Sequence, residues 1–273
     1  MRLTVLGSAA AEGWPALFCR CEACARAREL GGRDLRHRTS YRVGEWLQVD
    51  WGPDTYAASL AFGMDTSLVT DLLVTHSHED HFTPHELFYR RPGFSQVPEN
   101  ERLRIHGPIG VQQALPTDVE DLERYRLSFA RLRPYDTREL PEGLSVTAIP
   151  AAHADPSAEA LNYILTAQGR CLLIGNDTGW WDDPVWDFLA GMELHVVIMD
   201  CTYGPRRQRH GHLGVHEVVE AKQQLEAIGA LADGCRFIAN HFSHNGGWLY
   251  ADLVRFFAPH HIEVAFDGMV VEW

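Results

Sequence analysis

The stretch Asp71-Leu72-Leu73-Val74-Thr75-His76-Ser77-His78-Glu79-Asp80-His81 is where the fold can be read. Its apolar start, residues 71–74, reads as a buried strand. Three histidines and a carboxylate, Asp80, then fall within six residues at the strand's end. One metal ion takes few ligands from so short a segment, whereas two ions side by side can take all four. His76 and His78 then point to one ion, and Asp80 and His81 serve its neighbour. Neutral imidazole and carboxylate suit zinc or manganese. The competing reading is a histidine-rich polar loop, in a chain that has 15 His. Delivery of the cluster by a strand favours the metal reading.

The pattern His-x-His-x-Asp-His after a strand resembles the metallo-β-lactamase superfamily. The resemblance implies an α/β chain folded as a four-layer αββα sandwich, two mixed sheets face to face with helices outside. It also implies ligands further along. Ala151-Ala152-His153 follows a predicted strand at 144–149 and is similar to the family's third metal motif. A lone His of this kind would otherwise be read as structural. Gly175-Asn176-Asp177-Thr178-Gly179 follows a predicted strand at 171–174, where the family's Asp bridges two ions. The alternative for Asp177 is an acid in a glycine-rich turn. His241 follows Phe237-Ile238-Ala239-Asn240 as the last ligand. The implied sites are His76, His78, His153 and Asp177 for one ion, and Asp80, His81, His241 and Asp177 for the other. Two such ions, about 3.5–4 Å apart, hold a hydroxide and clamp a phosphate or carbonyl oxygen. Asp50 and Asp200 each end an apolar run. In the family an acid at the position of Asp50 supports the ligating loop. A turn or helix-capping role is equally open for both.

A second signal is Cys19-x-Cys21-x-x-Cys24. Three thiolates fall one ligand short of a four-coordinate structural zinc, and His244, three residues after His241, can be the fourth. The alternative is three ordinary reduced cysteines, since structural zinc usually shows paired CxxC elements. Cys171, Cys201 and Cys235 lie in or beside apolar runs and read as small core residues. The cysteine cluster, the His after the final ligand and Phe266-Asp267-Gly268-Met269 together resemble one subgroup, the PhnP-type phosphodiesterases of the carbon–phosphorus lyase pathway. The likeness runs from Gly7 to Met269. It implies a dinuclear site with two Mn²⁺ or Zn²⁺, one structural Zn²⁺, and hydrolysis of a ribose-derived cyclic phosphodiester such as phosphoribosyl 1,2-cyclic phosphate by metal-bound hydroxide. It also places a catalytic His at His212, as general acid to the leaving alkoxide or as a hydrogen-bond donor to the phosphate, with the metal ligand Asp80 as the second catalytic residue. His210 and His216 lie close enough to compete for that role. Arg206, Arg207 and Arg209 form a basic run near His212, either a second phosphate site or a solvated face.

The remaining sequence punctuates as expected for mixed sheets. Strands are predicted at 2–7, 40–43, 46–49, 102–106, 127–132, 144–149, 163–166, 171–174, 195–199, 236–239 and 262–266. Helices are predicted at 22–30, 56–62, 84–89, 108–127, 184–190, 215–228 and 248–257. No linker or repeat divides the chain, which reads as one domain over 1–273 with the cysteine loop near 19–24.

With 45% hydrophobic and 22% charged residues the composition is that of a globular protein. A net charge of -13 repels nucleic acid. The apolar start at residues 1–8 is short, ends at Gly7, and reads as a strand and not a signal peptide. No stretch approaches a membrane span. These features point to a cytoplasmic enzyme with a small phosphodiester substrate and no nucleic-acid or membrane partner; the family implies a homodimer. Two other readings share parts of the pattern. A PqqB-like accessory protein of cofactor biosynthesis shares the cysteine cluster and much of the metal motif. A tRNA 3′-processing endonuclease shares the ligands but needs a basic RNA-gripping arm that this acidic sequence does not show. A lactonase or β-lactamase is disfavoured by the absence of a secretion signal.

Overall fold

The computed structural model describes residues 1–115, 119–153 and 159–273. Two seven-stranded sheets pack face to face, and each is half antiparallel and half parallel. In the first, the order is β14 (Val270–Glu272), β1 (Arg2–Gly7), β2 (Ser40–Val43), β3 (Leu47–Val49), β4 (Asp71–Leu73), β5 (Leu103–Gly107) and β6 (Leu127–Arg131). In the second, it is β13 (Ile262–Val264), β12 (Leu231–Asn240), β11 (Leu194–Asp200), β10 (Arg170–Gly175), β9 (Leu161–Ala167), β8 (Leu144–Pro150) and β7 (Thr137–Glu139). The helices are α1 (Glu22–Leu30), α2 (Thr55–Ala61), α3 (Ile109–Ala114), α4 (Asp183–Leu189), α5 (Val215–Ala227) and α6 (Tyr250–Phe257). This is the αββα sandwich expected from the sequence.

Strand periodicity explains the layering. Successive side chains leave a strand on opposite faces. On β4, Leu73 enters the large core between the sheets, while Leu72 joins a smaller outer core with Ile105, Val111 and Leu127 beneath α3. Helix α5 covers the second sheet with Val215, Val218, Ala221 and Leu225, one apolar stripe at helical spacing. Among the described residues, no helix is long and apolar enough to cross a membrane.

Several boundaries differ from expectation. Of the helix expected over 108–127, α3 covers only Ile109–Ala114, a 3-10 turn takes Val119–Tyr125, and residues 116–118 lie outside the described residues. Leu115 is already extended, as the residue before Pro116 tends to be. The short helix expected at 84–89 is a 3-10 turn, Pro84–Arg90. Strands β7 and β14 were not expected. Strand β7 is largely exposed and polar, so no apolar alternation marks it. Strand β14 follows the turn at Gly268, where φ is +87°, and returns the chain to β1 in the other sheet.

Candidate metal centre

Three residues that leave strands beside the cluster have left-handed backbones. Asp50 follows β3 with φ +57°, Asp177 follows β10 with φ +49°, and His241 follows β12 with φ +62°. Such backbones cost energy in non-glycine residues and gather at functional sites. From these turns Asp177 and His241 join the donor cluster, while Asp50 reaches His81 behind it. Gly52 shows how tightly these loops meet: a Cβ there would sit 1.9 Å from the Asp80 carbonyl oxygen.

The His76-to-His81 loop is tied to Asp50. The Asp50 Oδ1 accepts the Thr75 N–H at 2.8 Å, and its Oδ2 lies 2.8 Å from His81 Nδ1. Asp50 therefore supports the ligating loop; the helix-capping position before α2 belongs to Asp54. Because His81 donates through Nδ1, its Nε2 carries a lone pair aimed into the cluster.

Two donor groups form around that lone pair. His76, His78 and His153 present ligand atoms within 4.8 Å of one another, and so do Asp80, His81, Asp177 and His241. The His81 Nε2 lies 3.0 Å from both Asp80 Oδ2 and Asp177 Oδ2, and His241 Nε2 lies 3.0 Å from Asp177 Oδ2. Asp177 also lies within the same reach of His153 and His212, between the two groups.

These separations look like hydrogen bonds, but their directions do not. His76 Nε2, His81 Nε2, His241 Nε2, His153 Nδ1 and Asp177 Oδ2 are buried atoms without a hydrogen-bond partner. Lone-pair atoms held this close repel unless a positive charge sits among them, and unpaired buried polar groups are costly. A protein without metal would recruit protons instead. Burial alone would lower His81, but the carboxylates of Asp177, Asp80 and Asp50 hold its pKa well above the ordinary value. Burial would likewise raise Asp177, yet His241 and His81 hold it well below the usual carboxylate range. The all-nitrogen-and-oxygen donor set fits divalent cations such as zinc or manganese.

His212 borders the same cavity, on the loop before α5. Asp200, at the end of β11, holds His212 Nδ1 at 2.9 Å with Oδ2, and its Oδ1 accepts the N–H groups of Thr202 and Leu213, each at 3.0 Å. Burial pulls the His212 pKa down, but the Asp200 and Asp177 carboxylates outweigh it and push the value up to about 9. With Nδ1 committed to Asp200, Nε2 is the nitrogen left for the cavity. Thr202 Oγ1 lies 2.8 Å from His241 Nδ1 and 3.0 Å from Asp200 Oδ1, so one acid orients both histidines.

The cysteine cluster stands apart. Cys19, Cys21, Cys24 and His244 present ligand atoms within 4.8 Å of one another. His244 Nδ1 lies 3.5 Å from Cys19 Sγ, 225 residues away in sequence, and 3.4 Å from Cys21 Sγ. Backbone N–H groups of Cys21, Cys24 and Ala16 point at the sulfurs of Cys19, Cys21 and Cys24. The Cys21 N–H lowers the Cys19 pKa, while burial pushes Cys24 up to about 12. Three sulfurs and one imidazole fit a closed tetrahedral zinc site.

Glu12, Thr202, Tyr203, Ser243 and Asn245 also line the cavity, whose volume is about 440 Å³. They carried no sequence signal, because each is an ordinary polar residue in a loop. Arg207 pairs with Glu217 and Glu220, and Arg209 pairs with Glu220 and lies 4.0 Å over the Trp180 ring. Those two cations are engaged on α5 and a tryptophan.

Two facing mixed sheets with histidine and carboxylate clusters at their strand ends define the metallo-β-lactamase fold with a candidate metal centre. The chain belongs to the β-lactamase superfamily: the family's domain, described as the beta-lactamase superfamily domain, matches residues 45–232. No curated protein matches it. Among solved structures, it is similar to a new diphosphatase from the PhnP family, at 21% identity and a TM-score of 0.75 over 100% of this chain and 97% of that one. It is also similar to Zn²⁺-bound PqqB from Methylobacterium extorquens, at 19% identity and a TM-score of 0.77 over 100% of both chains. Human tRNase Z, short form, matches at 18% identity and a TM-score of 0.67 over 100% of this chain and 99% of that one. At these identities the likeness is one of fold.

Proposed function

We propose that this protein is a dinuclear metal-dependent phosphodiesterase acting on a small, ribose-derived cyclic or alkyl phosphodiester. His76, His78, His153 and Asp177 would hold one Mn²⁺ or Zn²⁺, and Asp80, His81, His241 and Asp177 the other. Bound there, such ions supply Lewis acidity and an activated water. The observation that carries the reading is His212. A histidine whose Nδ1 is held by a buried aspartate borders the cavity that holds both donor groups. Its Nε2–H is suited to protonate a departing alkoxide, and Asp200 offsets the charge it carries while waiting. The likeness to a PhnP-family diphosphatase supports phosphoryl chemistry. The net charge of -13 speaks against an RNA substrate.

Cys19, Cys21, Cys24 and His244 would hold one structural Zn²⁺. None of the six cysteines is disulfide-bonded, which supports the expectation of a reducing, cytoplasmic setting. The likeness to Zn²⁺-bound PqqB favours a second reading, a metal-binding accessory protein without hydrolytic activity. Hydrolysis of bis(p-nitrophenyl) phosphate by manganese-reconstituted protein separates the two. Turnover that vanishes in Asp80→Ala is expected. No turnover with metals bound would transfer the assignment to the accessory reading.

A further inference from the structure

Glu12 is an acid in an unexpected place. A cavity suited to a phosphate should avoid a carboxylate in its wall, yet Glu12 lines it together with His78, Asp80 and His212. The fold puts it there. The loop after β1 zips onto the segment after β12, with Ala10 N–H donating to the Phe242 carbonyl and Phe242 N–H to that of Ser8. This sets Glu12 opposite Ser243–Asn245. Its Oε1 accepts from the Ser243 hydroxyl and, at 3.4 Å, from Asn245 Nδ2. The same oxygen lies 3.4 Å from His244 Nε2, whose Nδ1 faces Cys19 and Cys21. A carboxylate behind an imidazole orients it, and the imidazole fixes the carboxylate in return. The Glu12 side chain is 29% exposed, so it is fixed but open to a ligand.

We infer that Glu12 is a specificity-determining residue, which receives the hydroxyl-bearing, uncharged part of the substrate and turns away a second phosphate. This rests on the phosphodiesterase reading for the word substrate, but not for the recognition itself, and it sets aside phosphoribosyl 1,2-cyclic phosphate, whose second phosphate Glu12 would repel. A fixed carboxylate accepts hydrogen bonds from vicinal hydroxyls. The same charge repels an anionic group brought against it in a half-enclosed cavity. Ser243 and Asn245 add polar groups beside it, so the wall suits a sugar or a polyol. The cysteine cluster acts on specificity through His244, by holding Glu12 in register.

Equilibrium binding tests this without any turnover. Propyl phosphate, glycerol phosphate and propanediol bisphosphate are titrated calorimetrically into the metal-loaded protein at fixed ionic strength. Glycerol phosphate is expected to bind about tenfold more tightly than propyl phosphate, and the bisphosphate about tenfold more weakly than glycerol phosphate. Glu12→Gln keeps the contacts to Ser243 and Asn245 but removes the charge, and should recover most of the bisphosphate's loss. Glu12→Ala should erase the advantage of glycerol phosphate. The inference is overturned if the bisphosphate binds most tightly to the wild type, or if both variants leave all three ratios unchanged. Bis(p-nitrophenyl) phosphate turnover by the wild type is scored separately. Its absence with the ligand order intact would remove the hydrolytic reading and leave the recognition standing.

Discussion

The histidine–carboxylate clusters and the cysteine cluster lie on either side of Glu12 and are built on opposite principles. The first uses only nitrogen and oxygen donors, buried where strands end, and opens onto a cavity. The second uses three sulfurs and one imidazole, with Cys21 exposed. An open set of nitrogen and oxygen donors leaves positions for water and substrate, whereas a closed sulfur-rich set spends all its positions on the protein. One short segment after β12 contributes to both, through His241 and His244. On the proposed assignment, catalysis would rest on the first set and fold maintenance mainly on the second, within a few residues of each other.

The largest effect that can break this contrast is in catalysis. His212→Asn should lower kcat by about 10²–10⁴-fold while leaving metal content unchanged, measured by steady-state kinetics beside metal analysis. Metal loss in that variant would make His212 a ligand instead of a proton donor. Next comes the support of the ligands. Asp50→Asn should weaken cation binding by about 10–100-fold, because His81 loses the carboxylate that orients it. A metal titration with competition by a chelator reads this directly. The cysteine cluster should respond differently. Cys21→Ser should lower the melting temperature and release zinc, with a smaller loss of activity per remaining folded molecule. Equal losses in both would mean the two regions do not divide the work.

The smallest effect is in pH dependence. His37 is bonded to Asp267, which raises the His37 pKa; burial opposes this. A folded pKa above the unfolded one gives stability that is complete below about pH 6.5 and is lost as pH rises through the folded value. The His37 side chain is 38% exposed, so the loss should be only a few tenths of a kcal/mol. Denaturant melts at rising pH, with Asp267→Asn flat by comparison, would register it.

The two histidine–carboxylate donor groups were legible because each member follows a strand that announces itself by apolar residues. His153, Asp177 and His241 follow β8, β10 and β12 and could be found in chain order. The sandwich itself came from that motif's family resemblance, since periodicity does not say how two sheets face. Glu12, Ser243 and Thr202 were not legible. The roles of Glu12 and Ser243 arise only when the loop after β1 meets the one after β12, and that of Thr202 when the loop after β11 meets His241, pairings no local pattern encodes. Strand β7 escaped notice because it is mostly exposed, so its residues need not alternate. The expected helix over 108–127 ignored how a proline extends the residue before it, here Leu115.

The central claim is that this chain carries two kinds of metal site with separate donors. The direct measurement is metal content per folded chain in wild type and Asp177→Ala after reconstitution with zinc, with thiol titration alongside. The wild type should hold about three ions, and the variant should keep about one, protected with its thiols from reaction. A variant that keeps every ion, or one that loses its thiol-bound ion with the others, would contradict the account.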